Sequence, residues 1–324
     1  MKIYFAKTTA LAILACTTLF FAGCSKDSIN INIGENGTGE GQSDNNEPGT
    51  PDQKTLITFH ASIESRNMTR SLSPMRKGIT SSIYAYKSPI TSLETPSAEG
   101  VYTTATVGIL TGVEGYKMYL PNGVYYFYAI SNNSSVTPAK FINERSEPLS
   151  NGIDYLWASN KLQDVTSTQV SMPILFQHSA TQVVFKISAG SGIKLDKLVS
   201  ATITPTNPGA TMDMITGEIT SSTTYSTGTV NMGVNSFTAQ YIMLPLKTSA
   251  TMPLTLQVLA DGENTPRTYN INVPLPDGEL SGGNSYVFSA VIDGNSVSFP
   301  NVEVLNWTEV DETGKPLYPS QKPD

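Results

Sequence analysis

From Thr55 onward the chain is divided into short runs in which apolar residues recur at every second position, the period of a strand with one buried face. The clearest run is Thr55 to Ile63. Ile57, Phe59, Ala61 and Ile63 fall on one face, with Thr58, His60 and Ser62 on the other. Similar runs predict strands at Ser82–Tyr86, Val101–Leu110, Tyr116–Leu120, Val124–Ile130, Ile153–Ser159 and Val170–Phe176. Others follow at Thr181–Ile187, Leu198–Thr204, Met212–Ile215 and Thr238–Leu246. The turn formers Pro121-Asn122-Gly123 predict a hairpin between the runs on either side of them. Asp-Gly pairs beginning at 261, 277 and 293 separate four closing runs, Leu254–Ala260, Arg267–Pro274, Tyr286–Ile292 and Val297–Leu305, which predicts a meander. Those pairs lack the alternating oxygen ligands of a calcium loop. Charged residues are only 15% of the chain, and Thr, Ser, Asn and Gly are abundant, as suits a β-rich surface protein. The expected fold class is all-β, with a division of the chain at Ser188 to Gly192.

The N-terminus has a different character. Lys2 and Lys7 precede an apolar run from Thr8 to Ala22, too short to cross a bilayer as a helix, which reads as a signal-peptide core. It ends in Phe21-Ala22-Gly23-Cys24, which resembles the lipobox of bacterial lipoproteins, although Phe21 stands where that motif usually has Leu. The resemblance implies cleavage before Cys24 and diacylation of its thiol. An ordinary secretory signal cut at Ala22 or Gly23 is the alternative. The other cysteine, Cys16, lies within the signal, so no disulfide is available to the mature chain. Residues 24–54, rich in Gly, Asn, Asp, Ser and Pro, read as a disordered tether with almost nothing to bury. Removing residues 1–23 takes away two lysines and no acid, changing the net charge from −7 to −9. A mildly acidic protein has no electrostatic footprint for nucleic acid or an anionic membrane surface. Contact with a membrane is expected only through the lipid.

Catalytic machinery is sparse. The chain has two histidines, His60 and His178, and no Gly-x-Ser-x-Gly elbow, His-Glu-x-x-His pair or phosphate-binding glycine loop. His60 falls on the polar face of its strand, and His178 sits at a strand start where it would cap a hydrogen-bond network. Asp154 has no acid or histidine at a catalytic spacing. Tyr119, Tyr125, Tyr126 and Tyr128 would form a glycan platform if exposed, or inter-sheet packing if buried. No enzyme activity, cofactor or metal is expected.

Five features in order resemble one family. They are the lipobox; a first strand followed by Thr69-Arg70; the aromatic run Val124-Tyr-Tyr-Phe-Tyr-Ala129; Leu175-Phe-Gln-His178-Ser-Ala180 leading into Val184-Phe-Lys-Ile187; and Gly282-Gly-Asn-Ser-Tyr286 leading to Val304-Leu-Asn-Trp307. Together they resemble the fimbrillin family, the subunits and tip proteins of type V pili in Bacteroides-type Gram-negative bacteria. The resemblance implies two transthyretin-like β-sandwich domains, at 55–190 and 191–311, and a polar tail at 312–324. It implies export as an outer-membrane lipoprotein to the cell surface and cleavage after the first strand by an arginine-specific protease. Arg70 or Arg66 matches the cleavage position, with Arg76 a third choice. A strand donated by another fimbrial subunit would then fill the vacated groove by β-strand addition. The tail departs from the pattern of a donor, because Pro316, Pro319 and Pro323 cannot donate to a ladder. The expectation is a non-enzymatic tip or accessory adhesin, with a host or bacterial surface ligand, rather than a stalk subunit. A solitary surface lipoprotein binding glycan or host protein is the competing class, and a lipid-anchored carbohydrate-active enzyme the third.

Overall fold

A computed structural model describes residues 54–65 and 71–307. The first eleven strands are β1 (Lys54–Ser65), β2 (Ser71–Pro74), β3 (Thr80–Lys87), β4 (Ala98–Thr106), β5 (Ile109–Gly112), β6 (Met118–Pro121), β7 (Gly123–Ser131), β8 (Phe141–Ile142), β9 (Arg145–Ser146), β10 (Leu156–Val165) and β11 (Gln169–His178). Apart from the β8–β9 ribbon they form one sheet in the order β11-β10-β7-β3-β4-β5-β1-β2, with β6 also on β1. β1 and β11 pair in parallel, which joins the first strand of that path to the last but one. The sheet therefore closes on itself around a core that includes Phe59, Tyr125, Phe127 and Phe176.

The remaining strands are β12 (Thr181–Ala189), β13 (Leu195–Ile203), β14 (Val230–Asn231), β15 (Gly233–Asn235), β16 (Thr238–Met243), β17 (Leu246–Lys247), β18 (Met252–Ala260), β19 (Arg267–Val273), β20 (Glu279–Leu280), β21 (Asn284–Asp293) and β22 (Ser296–Asn306). They make one sheet in the order β15-β16-β12-β21-β22 and another in the order β14-β13-β18-β19, with β17 pairing β20. Alternate residues of the two larger sheets face each other: Val183, Phe185 and Phe288 from one, Leu254, Leu256 and Val258 from the other. β12 precedes the expected division at Ser188 to Gly192 but pairs with β16 and β21, so the change of sheet falls at Ser179-Ala180. A third cluster holds Tyr84, Tyr86, Tyr128 and Ile130 against Met212, Met214, Leu244 and Trp307. It packs the outer face of β3 and β7 on the later half of the chain.

The protein is all-β, and its two helical turns are three-residue 3₁₀ segments among the described residues. Four local expectations differ from the structure. The run Val101–Leu110 is two strands, because Gly108 takes φ 74° and folds β5 back onto β4. β6 and β7 flank the anticipated turn without pairing; β6 joins β1, while β7 lies between β3 and β10. Of the three Asp-Gly pairs, those at 261 and 293 close the hairpins β18–β19 and β21–β22. The pair at 277 instead carries the chain from β19 to the other sheet, where Pro274 and Pro276 interrupt the ladder. Met212–Ile215 forms an isolated bridge to Ile219 rather than a strand.

Candidate functional site

β1 shows the alternation its sequence demands. Ile57, Phe59, Ala61 and Ile63 are 1–3% exposed, while His60 on the opposite face lies open to solvent. Phe59 is the centre of an aromatic group, edge-on to Tyr102 at 5.0 Å and to Phe127 at 6.0 Å between ring centroids. Burying a side chain of this size stabilises by about 1.5–3 kcal/mol, so the four together contribute about 5–8 kcal/mol, Ala61 least.

The backbone of β1 is shared among four partners. Along one edge it runs parallel to β11, from Leu56 beside Gln169 to Ile63 beside Phe176. Along the other it meets three short strands in succession: β6 at Lys54–Ile57, β5 at Phe59–His60 and β2 at Ser62–Ser65. Polar contacts mark both ends. The Thr55 hydroxyl donates to the Ser167 carbonyl, and the Glu64 carboxylate accepts from Gln177 Nε2 at 2.8 Å. One buried group in this core has no hydrogen-bond partner among the described residues, the hydroxyl of Tyr102. Burial, reinforced by Tyr116, raises its pKa above the usual tyrosine range.

Arg66, Arg70 and Cys24 lie outside the described residues. Arg66 and Arg70 belong to the segment between β1 and β2 that includes positions 66–70, and Arg76 is exposed in the turn between β2 and β3. A cut at Arg66 or Arg70 would leave β1 on one fragment and β2 with the rest of the sheet. Of the four tyrosines on and before β7, Tyr125 and Tyr128 are buried, Tyr126 is partly buried and Tyr119 is 47% exposed. The run from 124 to 129 therefore packs two cores, one on each side of β7, and offers no aromatic platform.

Asp154 does have a histidine partner. His178, at the end of β11 rather than at a strand start, donates from Nδ1 to Asp154 Oδ1 at 2.7 Å, and Asn133 Nδ2 donates to Asp154 Oδ2 at 2.8 Å. The imidazole stacks on the Trp307 indole at 4.5 Å with 6° between the planes. Both side chains of the pair are 3% exposed. A carboxylate-oriented imidazole serves as a base only where a substrate can reach it. Here Trp307 covers one face of the ring, and the arrangement fixes four chain segments to one another. Among the described residues, no group of three or more His, Cys, Asp or Glu is placed to hold a metal ion.

Solved structures share this fold. A candidate cell-adhesion protein of Bacteroides uniformis superposes with a TM-score of 0.56 at 19% identity, covering 79% of this chain and 100% of its own. One from Bacteroides ovatus has a TM-score of 0.56 at 15% identity, covering 80% of this chain and 99% of its own. One from Bacteroides fragilis has a TM-score of 0.51 at 15% identity with the same coverage. No curated relative matches in sequence. Residues 69–307, well over half of the chain and beginning just past β1, match the fimbrillin-like family. The closed sheet, the β7 run buried on both faces and the His178–Trp307 stack thus belong to a chain that is a member of the fimbrillin-like family.

Proposed function

We propose that this protein is a non-enzymatic subunit of a surface fimbrium, lipidated at Cys24 and carried to the outer membrane as a precursor. It is assembled when cleavage at Arg66 or Arg70 frees β1 for replacement by a strand from another fimbrial subunit. The observation that supports this is β1 itself. It is the first strand among the described residues, fills a groove with four buried side chains and ends at an arginine-bearing segment. A strand added there would gain the parallel ladder of β11 and reuse the pockets of Ile57, Phe59, Ala61 and Ile63. The prolines of the tail make it a poor donor, which favours a tip or accessory adhesin over a stalk subunit.

The test replaces both arginines. An Arg66→Ala, Arg70→Ala protein is expected to reach the cell surface with its N-terminal segment intact and to stay out of high-mass polymers. N-terminal sequencing and gel mobility of the surface form report both properties. Entry of the double variant into fimbriae at the wild-type level would refute the reading.

A further inference from the structure

Away from the β1 core, a cleft of about 690 Å³ opens between the segment 213–221 and the turn 279–283. Its volume is within the range of about 300–1,000 Å³ typical of small-molecule sites. One wall rests on Trp157. Gly217, at φ 75°, lies so close that a Cβ there would meet the indole at 2.3 Å, and the indole N–H donates to the Met214 carbonyl at 2.8 Å. Asp213 Oδ1 holds the same wall by accepting from the backbone N–H groups of Ile215 at 2.9 Å and Thr216 at 3.0 Å. In the other wall a Cβ on Gly282 would stand 2.4 Å from the Ser179 carbonyl, and the Gly283 N–H donates to Ala180 at 2.7 Å. Both walls are thus fixed by backbone contacts, and the cleft is preformed.

Its chemistry is that of short polar groups. Ser179, Thr216, Thr220, Ser221 and Ser281 line it with hydroxyls that both donate and accept, beside Gln177, whose amide also donates to Glu64, and His178, which is paired with Asp154. Three carboxylates, Asp213, Glu218 and Glu279, also face it. The one guanidinium in the lining, Arg145, lies 3.4 Å from Asp213, and Lys247 lies 3.5 Å from Glu279. The hydrogen bond from Ser281, followed by Lys247, holds the Glu279 carboxyl below the usual glutamate range, so it is charged at neutral pH. Apolar lining is slight, since Ile219 is 6% exposed and Trp157 is covered on one side by Gly217. A lipid or an apolar peptide would find little to bury against. An anionic ligand would meet excess negative charge with its natural counter-ions already engaged.

We infer that the cleft binds an uncharged saccharide, whose hydroxyls donate to the carboxylates and accept from the hydroxyl and amide groups of the lining. Gln177 is shared with the β1 groove through its hydrogen bond to Glu64, whereas the walls at 213–221 and 279–283 belong to neither β1 nor the strands that pair with it, so either reading can fail alone. The test titrates the full-length protein by saturation-transfer NMR and calorimetry with maltotriose, cellotriose, mannotriose, chitotriose and lacto-N-tetraose, with 3′-sialyllactose as the anionic comparison. Saturable binding of at least one neutral oligosaccharide is expected, with none of 3′-sialyllactose. Glu218→Ala should weaken that binding at least roughly tenfold, as expected for the loss of one hydrogen bond to a carboxylate. Thr216→Trp, an exposed position at the mouth, should block it. Unchanged circular dichroism and melting of both variants show that the fold is kept. Failure of every neutral oligosaccharide to bind, binding untouched by both substitutions, or equal binding of 3′-sialyllactose or of a peptide would each overturn the assignment.

Discussion

Two buried polar groups show how individual residues pull in opposite directions. The Tyr102 ring packs edge-on against Phe59, its hydroxyl has no hydrogen-bond partner among the described residues, and such a group costs about 1–3 kcal/mol. Tyr102→Phe keeps the edge contact with Phe59 and removes the desolvated oxygen. It should leave the denaturant midpoint unchanged or raise it, by up to about 2 kcal/mol in stability; a clear loss would mean that the oxygen has a partner. Asp154 is the opposite case, because it accepts from both His178 and Asn133. Asp154→Ala strands two buried donors and should cost at least about 2 kcal/mol in the same measurement, with quenching of Trp307 altered as its stacked imidazole loosens. The sequence concealed this pair because its members lie 24 residues apart on different segments. Knowing the register would have exposed it. Leu156 pairs with His178 across β10 and β11, which brings the residues just before Leu156 beside the imidazole.

Strands with one wet face were legible together with their inward side, while those buried on both faces were legible as strands but not in their neighbours. β1 reads cleanly because His60 and its neighbours alternate with four core residues. The presence of β7 was plain from its aromatics, but Tyr125, Phe127 and Ala129 enter one core while Tyr128 and Ile130 enter another, so no alternation remained to indicate its neighbours. Turn residues likewise identified a reversal but not which strands it joins. At Asp277-Gly278 the same dipeptide that closes two hairpins makes a crossing between sheets. The element-scale prediction concerns β1. Its side chains contribute about 5–8 kcal/mol and its ladder adds to that, so breaking the chain beyond it should not release it. Light trypsin treatment is expected to nick the segment 66–70 first, giving two fragments that co-elute on gel filtration and separate only in denaturant. Spontaneous loss of the small fragment would show that β1 is held more weakly than its burial implies.

At the scale of the molecule, β1 is the strand through which the first sheet closes. Without it β11 loses its parallel partner, β2 and β6 lose the strand they pair with, and β5 is left with β4 alone. The open edges and the vacated pockets of Ile57, Phe59 and Ile63 would together form an aggregation-prone surface. A cut molecule must therefore either keep β1 or receive a substitute with the same pattern: large, aromatic, small and large side chains at alternate positions, running parallel to β11. Glu64 adds a polar requirement, since Gln177 donates to it and is left without that acceptor when β1 departs. These demands can be tested in trans. Protein beginning at Ser71 and supplied with a synthetic peptide of residues 54–65 should regain a cooperative melt, stabilised by about 2.7 kcal/mol when the peptide is at a hundred times its dissociation constant. A peptide with Phe59→Asp places a charge in the aromatic pocket and should fail, while Glu64→Gln keeps an acceptor for Gln177 and should work nearly as well as the parent. Protein beginning at Ser71 that melts like the intact chain with no peptide present would mean that the groove closes by itself, and strand addition at β1 would have no thermodynamic basis.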